Sequence, residues 1–178
     1  MYVAQPTLIL GFHGCDQAVG EAVLSGGTRL APSRNEYDWL GSGVYFWEGN
    51  PQRADEYARL LQKNPKRTRG TIKQPFVLGA VIDLGYCLNL LDSWSLQILA
   101  ESYETLKSAF QQVGKELPKN TPVGDDNDLL LRPLDCAVIE SLHAAREASG
   151  DRAFDSVRAV FPEGEQLYAG AGFRRHSH

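Results

Sequence analysis

The sequence predicts an α+β domain with a split or sandwich-like sheet, and three observations carry that prediction. Short apolar or β-branched runs at 7–12, 43–47 and 76–84 mix with helical patterns, without the regular strand–helix–strand alternation of a doubly wound sheet. Good helix starts stand at Asp16, at Asn50-Pro51 and at Asp92 or Ser93. The chain has 178 residues and is 43% hydrophobic, which suits one domain, 1–178, with a sizeable core and is too short for two comfortable ones.

Taken in order, residues 7–12 are apolar enough for a buried strand that ends at His13-Gly14, so the histidine is expected where a strand leaves the core. Asp16 caps a short helix with Val19, Ala22 and Val23 as its apolar positions, and Gly26-Gly27 stops it. Arg29-Leu30-Ala31-Pro32 reads as a brief extended segment, because proline disfavours helix at the residue before it. Residues 43–47 are β-branched and aromatic, a second strand. A helix follows from Asn50-Pro51 to about Lys63, with Ala54, Tyr57, Ala58 and Leu61 on one face. A third strand spans 76–84, and 88–91 reads as a short extension.

A long helix runs from Asp92 or Ser93 to about Gly114, its stripe formed by Leu96, Leu99, Tyr103, Leu106 and Phe110. Residues 115–128 are a polar loop. Another helix covers 134–149 with Val138, Leu142 and Ala145 on one face. Residues 154–161 alternate as a strand, and 163–178 are glycine-rich and loop-like.

The formal net charge of -4 gives no global attraction to nucleic acid or to an anionic membrane. A local exception is the run 63–73, with five positive residues and no acidic one, which reads as a solvated loop tip or as a contact for a polyanion. Cys15, Cys87 and Cys136 are odd in number and widely spaced, against a disulfide framework and against a CxxC metal site. A reducing cytoplasm is the expected compartment. No apolar run approaches a membrane span, and no secretory signal is visible at the N-terminus. His13, His143, His176 and His178 lack metal-ligand spacing, apart from the last two at the terminus.

Four segments stand close together: His13-Gly14, Thr28-Arg29-Leu30-Ala31-Pro32, Gly41-Ser42-Gly43-Val44-Tyr45-Phe46 and Ala54-Asp55-Glu56-Tyr57. In order and spacing they resemble the ADP-ribosyltransferase fold, in its poly(ADP-ribose) polymerase-like and diphtheria-toxin-like branch. That branch is recognised by a histidine, a tyrosine and a late glutamate on three strands. The likeness is close over residues 7 to about 61 and rests on the order of elements beyond.

The resemblance implies an ADP-ribosyltransferase-like split sheet sandwich with flanking helices, NAD as co-substrate and transfer of ADP-ribose to a macromolecular acceptor, protein or nucleic acid. Small bacterial members of the family are often toxins or effectors, which makes that role an analogy only. In the implied site, Gly14 and Gly43 present backbone close to the ligand, and Gly14 holds the carboxamide. Tyr45 and Tyr57 sandwich the nicotinamide ring, His13 meets a ribose hydroxyl, and Arg29 meets the far ribose or diphosphate. Loss of nicotinamide leaves positive charge on the ribose, so an acid is needed beneath the anomeric carbon. Glu163 is the expected catalytic partner of His13 and Tyr45. Glu165 is its alternative, and a third expectation puts the acid on a last strand beyond His178.

Other readings remain open on the same residues. Water as acceptor makes the chain an NAD glycohydrolase. A pocket lacking its acid makes it a non-catalytic NAD or ADP-ribose-binding module. The RNA 2'-phosphotransferase relative needs several arginines, of which Arg29 alone is matched. A Cys15 nucleophile, two residues from His13, is the weakest alternative.

Overall fold

The computed structural model describes residues 8–65, 70–122, 129, 131–161 and 169. These mix helices with short sheets, so the α+β class holds at that level. The chain clusters into two compact units, Met1–Pro32 with Val44–Leu84, and Ser33–Gly43 with Gly85–His178.

The first unit contains β1 (Leu8–Asp16), α1 (Gln17–Leu24), β2 (Trp47–Glu48), α2 (Pro51–Lys63) and β3 (Pro75–Asp83). They form an antiparallel sheet in the order β2-β1-β3. β1 does not end at His13. It continues through His13↔Leu78 and Gly14↔Val77 to Asp16↔Pro75, because the nine residues of β3 supply a partner all the way. Histidine and glycine are weak strand formers, and here the ladder overrides that preference.

Asp16 then does two jobs. Its Oδ1 accepts from the Ala18 N–H at 3.1 Å and caps α1. Its Oδ2 accepts from the N–H groups of Lys73 at 2.6 Å and Gln74 at 3.1 Å, which fixes the approach to β3. The expected apolar stripe of α1 is rotated. Gly20 is the buried residue, with Phe76 packed against it, and Val19 is exposed.

The second expected strand is short. Only Trp47 and Glu48 pair with β1, opposite Phe12 and Gly11. Residues 43–46 are not ladder members, for a reason that belongs to the site below. α2 starts as anticipated: the Asn50 side chain accepts from the Arg53 N–H at 2.9 Å and Pro51 fills the first turn. Its buried face is Arg53, Ala54 and Ala58.

The second unit contains β4 (Cys87–Asn89), α3 (Ser93–Gln112), α4 (Pro133–Ser149) and β5 (Ser156–Arg158). β4 and β5 are parallel. Leu88, Ile139, Leu142 and Phe154 form the core, with Tyr86, Leu90, Ile98, Leu99 and Val157 against it. Asp92 caps α3 by accepting from the Ser95 N–H at 2.8 Å. The stripe of α3 differs from expectation: Ser95 is buried and Leu96 is exposed. A serine can occupy that place because its hydroxyl donates to Asp92 Oδ2 at 3.1 Å. α4 buries Cys136, Val138, Ile139 and Leu142, while Ala145 faces out. β5 is shorter than the expected 154–161 strand because β4 offers three partners.

Candidate functional site

Four of the expected residues with chemistry, His13, Gly14, Tyr45 and Tyr57, lie in the first unit on β1, its neighbour and α2. Adjacent residues of a strand face opposite ways, so His13 and Gly14 lie on opposite faces of β1. A Cβ added to Gly14 would meet the Ala54 carbonyl oxygen at 2.2 Å and Ala58 Cβ at 3.1 Å. Gly14 therefore belongs to the face covered by α2, and His13 to the other. The glycine is required there by the close approach of the helix backbone.

His13 Nδ1 lies 2.8 Å from the carbonyl oxygen of Tyr45. A carbonyl only accepts, so Nδ1 carries the proton and donates. In the neutral ring that leaves Nε2 as an acceptor, the atom suited to a hydroxyl donor. The Phe46 ring stands beside the imidazole, centroids 5.7 Å apart and tilted at 54°.

This bond also explains the shortness of β2. In the β1–β2 register, Tyr45 would stand opposite Gly14. Its carbonyl is instead taken by a side chain. The Gly49 N–H donates to the Leu10 carbonyl on the β2 side, and the Gln17 N–H donates to the Gln74 carbonyl on the β3 side. Strand groups alternate, so Gly14, four residues from Leu10, turns its N–H and C=O toward the β2 edge. The ladder there stops at Phe12. Among the described residues no strand stands opposite the Gly14 backbone on that edge, two residues past the last pair.

On the α2 face, the Trp47 ring meets Tyr57 edge-on, centroids 6.2 Å apart at 62°. The Arg53 guanidinium lies 5.0 Å from the Trp47 ring centre and 3.6 Å from a Glu56 carboxylate oxygen. Arg53 is 7% exposed, whereas Tyr57 is 39% exposed. Trp47 and Arg53 were not singled out in the sequence. Helical spacing held the signal for Arg53, which lies four residues before Tyr57. Its charge hid that it packs on an indole. His13 and Tyr57 therefore occupy opposite faces of the sheet, and the edge at Gly14 is what they have in common.

Cys15 shares the face of His13 but is buried, and burial with the nearby Asp16 charge pushes its thiol pKa up. That favours the protonated thiol over the nucleophilic thiolate. Asp16 is held below the ordinary carboxylate range, first by the Gln74 N–H and then by those of Lys73 and Ala18.

Arg29 is exposed, outside any helix or strand. Gly43 belongs to the second unit, where it bridges Ser33 with N–H to carbonyl distances of 2.7 and 3.1 Å. In the same turn Gly41 has φ of 80°, and an added Cβ would stand 2.9 Å from Ile139 Cγ2. The Ser42 N–H donates to Glu140 Oε1 at 2.5 Å. Glu140 thus secures the turn, a role with no sequence signal because 98 residues separate the pair. Glu163 and Glu165 lie outside the described residues, as do 66–69 of the basic run.

The second unit holds an open cavity of about 320 Å³ between Trp39, Leu99, Tyr103, Arg132, Asp135 and Ile139, among others. None of the expected site residues lines it. Among the described residues no group of three His, Cys, Asp or Glu side chains is placed to hold a metal, and no helix is long and apolar enough to cross a membrane.

Compared with protein-family models, with curated proteins and with solved structures, the chain matches none.

Proposed function

We propose that the open edge of β1 at Gly14 receives the nicotinamide riboside end of NAD and that the chain is an NAD-dependent ADP-ribosyltransferase. The observation that carries this reading is the hydrogen bond from His13 Nδ1 to the Tyr45 carbonyl. It joins the two segments that resemble the family's histidine and tyrosine motifs. It orients Nε2 as an acceptor and is compatible with a free backbone edge at Gly14.

In this reading the Gly14 N–H and C=O bond the carboxamide, a group that offers one acceptor and two donors. His13 Nε2 accepts from a ribose hydroxyl. Tyr45 and the exposed ring of Tyr57 supply aromatic surface for the pyridine ring, worth about 0.5–1.5 kcal/mol per pair beyond burial. Because His13 and Tyr57 lie on opposite faces, the ligand lies across the edge rather than against one face. The reading also needs an acid whose negative potential stabilises the charge left as nicotinamide departs, and assigns it to Glu163, which lies outside the described residues, with Glu165 or a residue of a further strand as alternatives.

Isothermal calorimetry with NAD, together with nicotinamide release and transfer of labelled ADP-ribose in a host lysate, tests this. His13→Ala is expected to weaken NAD binding by about 2- to 13-fold, the equivalent of one hydrogen bond of about 0.5–1.5 kcal/mol. Glu163→Gln is expected to leave binding intact and to slow nicotinamide release about a hundredfold or more. A Tyr45→Ala chain that binds NAD as tightly as the parent overturns the pocket. Release without labelled macromolecules makes water the acceptor.

A further inference from the structure

Strand β3 is paired on one side. Among the described residues the sheet runs β2-β1-β3, and no strand continues it beyond β3. The Gln17 N–H to Gln74 carbonyl bond sets the alternation on this strand. Phe76, Leu78, Ala80 and Ile82 turn their backbone groups toward β1, and Val77, Gly79 and Val81 turn theirs outward. Residues 76–82 carry no proline, no charge and no positive-φ bulge, and the devices by which natural edge strands avoid pairing stand only at the two ends of β3, Pro75 and Asp83. The side chains of Val77 and Val81 share a face with Leu8 and Leu10, which are 62% and 58% exposed, and Val81 is 70% exposed.

The charges at the two ends of this strand select a partner. Lys73 precedes β3 and Asp83 ends it, and both are exposed. Two parallel copies would set like charges together. Two antiparallel copies set Lys73 of one beside Asp83 of the other, diagonal neighbours on one face and within reach of a long side chain.

We propose that β3 is an interaction edge for a second copy of this chain, the two β3 strands pairing antiparallel about a two-fold axis at Gly79. In that register Val77 faces Val81 of the other copy, and Gly79 faces its own equivalent. Val77, Gly79 and Val81 stand in hydrogen-bonded positions, each pair exchanging two backbone bonds, and Pro75, which has no N–H, bounds the ladder opposite Asp83 of the other copy. The exposed Val81 gains a β-branched cross-strand neighbour. The contact is isologous, so it closes at two copies rather than growing into a fibre.

Sedimentation equilibrium over a concentration series, joined to residue-resolved amide exchange of the full chain, tests this. The expected result is a monomer–dimer equilibrium in which exchange at Val77, Gly79 and Val81 slows as concentration rises. Val81→Lys is expected to abolish the dimer. Leu10→Lys, which alters the same face but not the edge, is expected to keep it. A chain that stays monomeric at its solubility limit overturns the proposal. So does a dimer whose Val77, Gly79 and Val81 amides exchange independently of concentration, or one lost with Leu10→Lys and kept with Val81→Lys. If Val81→Lys fails to fold by circular dichroism, the exchange pattern of the unmodified chain decides.

Discussion

In the first unit the most deeply buried apolar side chains are Ala54 and Ala58, at 0% exposure, whereas in the second they are Leu88 and Ile139, at 0% and 1%. The first unit brings a helix so near a strand that a single added carbon at Gly14 would touch its backbone. The second fills its interior with large side chains around Phe154. The helix–strand contact of the first region is therefore sensitive to added atoms, and the large-residue core of the second to removed atoms. Gly14 in the first region marks close packing, and the β1–β2 ladder ends two residues before it.

The strongest way to break this comparison is to empty the second unit. Leu88→Ala is expected to cost about 2–5 kcal/mol, transfer and cavity terms together. Denaturant unfolding followed by tryptophan fluorescence measures it, with Trp39 and Trp94 in the second unit and Trp47 in the first. A loss well under 1 kcal/mol means that the second unit collapses around the gap as the first cannot.

Next in size is crowding of the first unit. Gly14→Ala is expected to cost about 1–3 kcal/mol, because α2 must shift by the overlap with the Ala54 carbonyl. Chemical shifts of residues 51–63 are expected to move, with those of 133–149 unchanged. An alanine tolerated without cost removes the packing explanation of this glycine.

The smallest expected effect is electrostatic. Asp16 in the first unit is held below its ordinary value of 3.8 by backbone N–H groups of Gln74, Lys73 and Ala18. Asp155 in the second is lowered by the Tyr86 N–H and then by Arg152. A depressed folded-state value means that the contribution is full above 3.8 and fades as pH falls through the lowered value. Thermal melts on descending pH are expected to show less acid sensitivity in Asp16→Asn than in the parent. Equal slopes would show that the carboxylate adds nothing beyond a neutral cap.

Much of the local structure was legible in the residues. Asp16, Asn50-Pro51 and Asp92 mark the starts of three helices, because a capping side chain and its N–H partner are two or three residues apart. Long-range features were not. Gly14 reads as ligand-facing from sequence, while the structure shows it pressed against a helix some forty residues along the chain, and Gly41, for which the residues suggest no contact, is pressed against α4. The expected strand at 43–47 shrank to a pair, since no propensity scale records that the Tyr45 carbonyl goes to His13. Arg53 is not singled out by the sequence, because nothing in it places the Trp47 ring 5.0 Å from the guanidinium. Sequence order names the candidate residues of the first half but does not record their distribution over two faces of the sheet, which depends on the strand register and on the placement of α2.

The bond between the Ser42 N–H and Glu140 also has a consequence during synthesis. Its two ends are 98 residues apart. At about 5–20 residues per second, the Gly41-Ser42-Gly43 turn leaves the ribosome about 5–20 seconds before its clamp is made. For that interval the segment leading into Tyr45 is held by water alone at Ser42, so the nascent chain acquires a finished turn only after α4 has emerged.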